Sequence, residues 1–167
     1  MKVQLLSLLI VLALASPVMA MSRMSETSGS EVLLGQAAPE FSLERSSGET
    51  QTLTQVRAGK KAILFFWATW CPHCHEELER VRQNLENIQK KGISLILVNV
   101  GESREEAKAY LQQNEIPLDT FIDEDNVVAG QYGVRGVPNM IFIDDKGIIR
   151  YRDYGLDSDY ETKFQSK

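Results

Sequence analysis

Six consecutive apolar residues, Ala62-Ile63-Leu64-Phe65-Phe66-Trp67, follow Lys60-Lys61, and few folds can accommodate them. A strand with one face in water alternates polar with apolar residues; an unbroken apolar run fits a strand buried on both faces. The covering layers are legible further along. Leu78, Val81, Leu85 and Ile88 recur at spacings of three and four in a charged background, which is one apolar face of a helix ending near Lys91-Gly92. Ile93 to Val100 is a second apolar run closed by Gly101, so strand, helix and strand follow one another.

Ser103 with Glu106 makes a capping box for the next helix, which carries Ala107, Tyr110 and Leu111 and is ended by Asn114 and Pro117. Asp125 is positioned to cap a short helix through Asn126 to Tyr132. Two hairpins complete the pattern. Phe41-Ser42-Leu43 and Thr50-Gln51-Thr52-Leu53 flank Ser46-Ser47-Gly48-Glu49, and Met140 to Ile143 and Ile148 to Tyr151 flank Asp144-Asp145-Lys146-Gly147. Residues 157–167 are expected to form a short closing helix. Alternating strands and helices followed by a hairpin predict one α/β domain with a mixed sheet covered by helices on both faces.

The N-terminus has a different character. Lys2, an apolar run from Leu5 to Ala15, and Ser16-Pro17-Val18-Met19-Ala20 have the layout of a signal peptide over residues 1–20, with cleavage after Ala20. An uncleaved anchor is the alternative, but a spanning helix needs roughly 20 apolar residues and Pro17 interrupts this run early. Residues 21–33 are small and polar and read as a disordered lead-in, leaving residues 34–167 as the folded domain. Loss of Lys2 makes the remainder one unit more negative than the −5 of the whole chain. With no basic block, the electrostatic footprint of a nucleic-acid binder is missing.

Between the first buried strand and its helix stands Cys71-Pro72-His73-Cys74, which holds the chain's two cysteines. A pair at the first turn of a helix can form a disulfide within one turn and exchange it with another protein, because unpaired N–H groups and the helix dipole favour a thiolate there. Cys71 is the attacking sulfur on this reading, partly exposed, and Cys74 the resolving one. His73 adds to the effect when its imidazole is protonated or donates a hydrogen bond. Two other readings compete. A bridge that only braces the fold would close about four residues and gain roughly 2 kcal/mol. A metal site would draw on Cys71, His73, Cys74 and His75, but tetrahedral sites usually take ligands from two segments, and no other His or Cys exists. Without metal, His75 is a solvated residue of the first turn.

Trp67-Ala68-Thr69-Trp70-Cys71-Pro72-His73-Cys74 resembles the active-site segment of thioredoxin-like proteins. Residues 34 to 155 resemble the exported TlpA/ResA branch of that superfamily, through Val98-Asn99-Val100-Gly101-Glu102-Ser103 and Tyr132-Gly133-Val134-Arg135-Gly136-Val137-Pro138. The resemblance implies a thioredoxin-like α/β fold, with a mixed central sheet flanked by helices, an N-terminal β-hairpin and a central insert. It implies a cis Pro138 facing the cysteine pair, with the Val137 backbone pairing with the substrate chain and Trp70 and Pro72 beside it. It also implies that Glu77 is a carboxylate partly buried beneath the disulfide that shuttles the proton of the resolving step. No cofactor or metal is implied. In two places the sequence departs from the pattern. Phe65 stands where thioredoxin has a buried Asp, so that proton route is closed, and Pro72-His73 resembles the strongly oxidising DsbA proteins.

The expected activity is disulfide exchange with protein thiols outside the cytosol, by a monomer, through a mixed disulfide on Cys71. The branch implies a reductase, acting on partners such as apocytochrome c with electrons from a membrane partner, whereas Pro72-His73 implies oxidation or isomerisation. Reduction is the leading expectation. An antioxidant peroxidase of the peroxiredoxin type is disfavoured, because such enzymes place a Thr three residues before the reactive Cys and a Pro further upstream, where Ala68 and Leu64 stand here. A metal-delivery protein is disfavoured by the short Cys spacing and the absence of a distant His.

Overall fold

The structure is a computed structural model that describes residues 33–165. The expected signal peptide and nearly all of the expected lead-in lie outside the described residues. Along the chain run β1 (Ser42–Glu44), β2 (Thr50–Thr52), α1 (Leu53–Arg57), β3 (Lys61–Trp67), α2 (Pro72–Lys90), β4 (Ile93–Val100), α3 (Arg104–Gln113), β5 (Thr120–Asp123), α4 (Val127–Gln131), β6 (Asn139–Ile143) and β7 (Ile149–Asp153). A 3-10 helix at Tyr160–Phe164 closes the described chain.

Five strands form one mixed sheet in the order β5-β4-β3-β6-β7. At its centre β3 runs parallel to β4 and antiparallel to β6. All six residues from Ala62 to Trp67 have 0% exposure, which is the two-sided burial their sequence demands. The β1–β2 hairpin is a separate two-stranded sheet. It docks on the β5 edge, where the Ser46 N–H donates to the Thr120 carbonyl at 2.8 Å and the Phe41 and Phe121 rings meet edge to face at 5.4 Å. Between β4 and α4 lie α3 and β5.

Several local expectations are corrected. Leu53 does not extend the second strand; it opens α1, because Thr52 and Gln55 form a reciprocal capping box. Asp125 is exposed and caps nothing. The carboxylate of Asp123, at the end of β5, instead accepts the N–H groups of Val128 and Ala129 at 3.0 and 2.7 Å. The strand β5 is not evident from the sequence, since four residues beginning with Thr and ending in Asp carry little pattern. The Thr120 side chain is buried and accepts the Trp67 indole N–H at 3.1 Å, a tertiary reason for its place in a strand.

Candidate active site at the cysteine pair

The central strand ends by delivering Ala68-Thr69-Trp70 to the N-terminus of α2. Cys71 is the N-cap and Pro72 the first helical residue, where a missing N–H costs nothing. Cys71 and Cys74 are joined in a disulfide, with their Cα atoms 5.2 Å apart. The Cys71 sulfur accepts the Cys74 N–H at 3.2 Å, so the capping interaction of a 19-residue helix falls on the sulfur itself. The expectation of a partly exposed Cys71 is corrected: it is 3% exposed and Cys74 0%. What covers Cys71 includes the 132–138 loop, whose Val137 carbonyl oxygen lies 3.5 Å from the Cys71 sulfur. The Val137–Pro138 peptide is cis. Trp70, immediately before the pair, is 66% exposed.

The turn that aims Cys71 is held through Thr69. Its N–H donates to Glu102 at 2.8 Å and its hydroxyl to the other oxygen of the same carboxylate, while Asn99 Nδ2 donates to Glu102 at 2.7 Å. Three donors make burial of this carboxylate tolerable, and hydrogen bonds to a charged group are the stronger kind. Glu102 and Asn99 stand in the sequence as marks of a family pattern; nothing there announces that they grip a turn 33 residues upstream. Nor is His75 merely solvated. Its Nε2 lies 2.6 Å from the Thr69 carbonyl oxygen, and its ring faces that of Tyr110 with centroids 4.9 Å apart. Every backbone and side-chain polar group of Thr69 therefore has a partner.

The two remaining candidates on α2 differ sharply. His73 is out in solvent, with its side chain 81% exposed and Nδ1 3.9 Å from the Glu76 carboxylate. Glu77 is turned inward, one helical turn after the fully buried Cys74 and on the same face. One of its oxygens accepts the Leu156 N–H at 2.9 Å and the other lies 3.1 Å from Arg80 Nη1.

A groove of about 770 Å³ opens beside the pair, lined by His73, Glu77, Gly136, Pro138, Arg152 and Tyr154 among others. Arg152 from β7 donates to the carbonyls of Tyr132 and Gly133, the latter at 3.1 Å, and so pins the start of the loop that carries Pro138. Burial pushes its guanidinium below the usual arginine range. Arg152 is another residue the sequence does not single out. Among the described residues no three His, Cys, Asp or Glu side chains are grouped to hold a metal. At position 65 the chain places a fully buried Phe between Leu97 and Met140 in the sheet. That position supplies no carboxylate, and the buried carboxylate on the Cys74 face of α2 is that of Glu77.

Comparison with known proteins agrees with this geometry. The chain is 34% identical over 163 residues to the thiol:disulfide interchange protein DsbE of Escherichia coli, covering 92% of this chain and 85% of the relative. It is 32% identical over 124 residues to the thiol-disulfide oxidoreductase ResA of Geobacillus thermodenitrificans, covering 74% and 71%. The thioredoxin domain of a thiol-disulfide oxidoreductase from Bacteroides vulgatus superposes with a TM-score of 0.70 over 79% of this chain and 96% of that one, and at 22% identity it attests the fold. The model of the AhpC/TSA family matches residues 34–152, which takes in the central strand, the cysteine pair and the cis-proline loop together. With relatives a third identical over most of both chains, this protein belongs to the AhpC/TSA family, as one of its thiol-disulfide oxidoreductases acting on protein thiols and disulfides.

Proposed function

We propose that the protein is an exported disulfide reductase of the TlpA/ResA type, with residues 1–20 as its signal peptide and apocytochrome c disulfides as one substrate class. In the reduced state the Cys71 thiolate, favoured at the N-terminus of α2, attacks one sulfur of a substrate disulfide. That bond breaks, the departing substrate sulfur takes up a proton, and a mixed disulfide on Cys71 remains. Cys74 then gives its proton to Glu77 and attacks the Cys71 sulfur, which releases the second substrate sulfur and re-forms the bridge. Two electrons pass from the cysteine pair to the substrate; the first released sulfur takes its proton from solvent, and the second takes from Glu77 the proton that Cys74 gave up. A membrane-associated dithiol donor restores the reduced pair. Val137 and Pro138 align the substrate chain along the groove, and Trp70 and Pro72 flank the attacked bond.

The observation that carries the direction is the contrast between His73 and Glu77. Pro72-His73 resembles an oxidant because an imidazole can stabilise a neighbouring thiolate. Here the ring stands in water beside the Glu76 carboxylate, where solvent and a counter-charge screen it. The buried Glu77 serves the proton transfer that a resolving thiol requires. The reduction potential against glutathione tests the reading. A value near about −270 mV, as in thioredoxin, is expected, and one near about −120 mV, as in DsbA, would reverse the assignment.

A further inference from the structure

Glu77 does not reach its position by helix geometry alone. The loop Tyr154-Gly155-Leu156, between β7 and the closing 3-10 helix, lies directly over the carboxylate. Leu156 donates its N–H to one oxygen at 2.9 Å. At Gly155, an added Cβ would lie 2.9 Å from Oε1, 3.1 Å from Cδ and 3.2 Å from Oε2 of Glu77, and these are the nearest heavy atoms to it. Gly155 is not among the glycines at positive φ, so no left-handed conformation calls for glycine here. The absence of a side chain at this position serves the approach to the carboxylate, not a turn.

We propose that Gly155 and Leu156 form a latch that positions Glu77 for proton exchange with Cys74, and that Gly155 is a positioning residue for the resolving step. The inference rests on the proton-relay role of Glu77 proposed above. Its logic is steric. The three heavy atoms nearest a methyl group at Gly155 all belong to the end of one side chain, so the fold can relieve the closest contacts by moving that end. The carboxylate then leaves the Leu156 N–H and its alignment with Cys74. The titratable and charged groups around it are Arg80 on its own helix and His73, Glu76, Arg135, Arg152 and Tyr154 along the groove. A displaced carboxylate exchanges its fixed contact with Leu156 for contact with these groups or with solvent.

The experiment separates attack from resolution. Reduced protein treated with 5,5'-dithiobis(2-nitrobenzoate) releases one thionitrobenzoate when Cys71 attacks and a second when Cys74 displaces it. Gly155→Ala is expected to leave the first release unchanged and to slow the second roughly tenfold at neutral pH, with an altered pH profile, as expected when a proton-transfer group loses its alignment. Glu77→Gln should slow the second release at least as much, and the double variant no further, because both changes act through one group. Exchange of the Leu156 amide proton should quicken in Gly155→Ala.

Three results would overturn the latch: a second release at the wild-type rate in Gly155→Ala, equal slowing of both releases, or effects of the two substitutions that multiply. If Glu77→Gln itself leaves the second release and its pH profile unchanged, the relay reading fails and takes the latch with it. If Glu77→Gln slows resolution and Gly155→Ala does not, the latch alone fails.

Discussion

At the scale of single residues, the chemistry depends on neighbours that hold the reactive atoms. Glu102 accepts from Thr69 and Asn99 at once. A glutamine there can present only one oxygen and turns its NH₂ group toward a donor. Glu102→Gln should therefore cost about 1–3 kcal/mol of stability, read from urea unfolding, and should slow the first thionitrobenzoate release by misaiming the turn before Cys71. His73 is predicted to matter less than its place between the cysteines suggests. His73→Ala should shift the reduction potential by less than about 30 mV, since the exposed ring contributes little to thiolate stability. The cysteines are legible in the sequence because their spacing is a local signal, and the cis Pro138 through the family resemblance of its segment. Glu102, Arg152 and the true setting of His75 are not, because each acts through a contact with a residue distant in the chain or on another element.

Among the elements, α2 carries one side of the site and α4 leads into the loop that forms the other, and each depends on its cap. The carboxylate of Asp123 holds two N–H groups of α4, the helix that leads into the Val137–Pro138 loop. Asp123→Ala should lower stability by about 1–2 kcal/mol, while Asp125→Ala should be neutral; thermal melts of the two variants make the comparison. The expected cap was misassigned because Asp123 and Asp125 look equivalent in sequence, and only the end of β5 decides which faces the helix. Long elements with a clear period, α2 and β4, were legible almost to the residue, as was the capping box that opens α3. Short ones, α1 and β5, draw their conformation from what they dock against.

The acid sensitivity of the fold also belongs to this scale. Burial alone would raise the carboxyls of Asp119 and Asp144. For Asp119, Ser46, Ser47, Arg45 and the Thr120 N–H outweigh it; for Asp144, the Ile148 and Lys146 N–H groups and Arg150 do so. Both folded-state values lie below the usual carboxylate range. The stability they contribute is therefore present above about pH 4 and lost as pH falls through the lower folded values. Urea midpoints measured from pH 5 down to pH 2 should decline, and Asp119→Asn and Asp144→Asn should each flatten that decline.

Over the whole molecule, the six-residue apolar run set the architecture. A strand buried on both faces requires helices around a sheet, and β3 lies at the centre of five strands with all of Ala62 to Trp67 sealed from solvent. The sequence order of strand, helix and strand leads to the parallel β3–β4 pair, and the late hairpin to β6 and β7. The edge strand β5 and the separate docking of the β1–β2 hairpin were beyond reach, because sheet order is a property of contacts between segments and leaves no periodicity in either one. This architecture gathers the end of β3, the start of α2 and the loop before β6 at one end of the central strands, where the disulfide lies against the Val137 carbonyl.

In the proposed mechanism Cys71 attacks and Cys74 resolves. Mass spectrometry of the Cys74→Ser and Cys71→Ser variants, each mixed with a disulfide-bonded peptide, tests it most directly. Cys74→Ser is expected to accumulate a mixed disulfide on Cys71, and Cys71→Ser to form none and reduce nothing. Adduct formation through Cys74 in the Cys71→Ser variant, or unchanged turnover without Cys71, would contradict it.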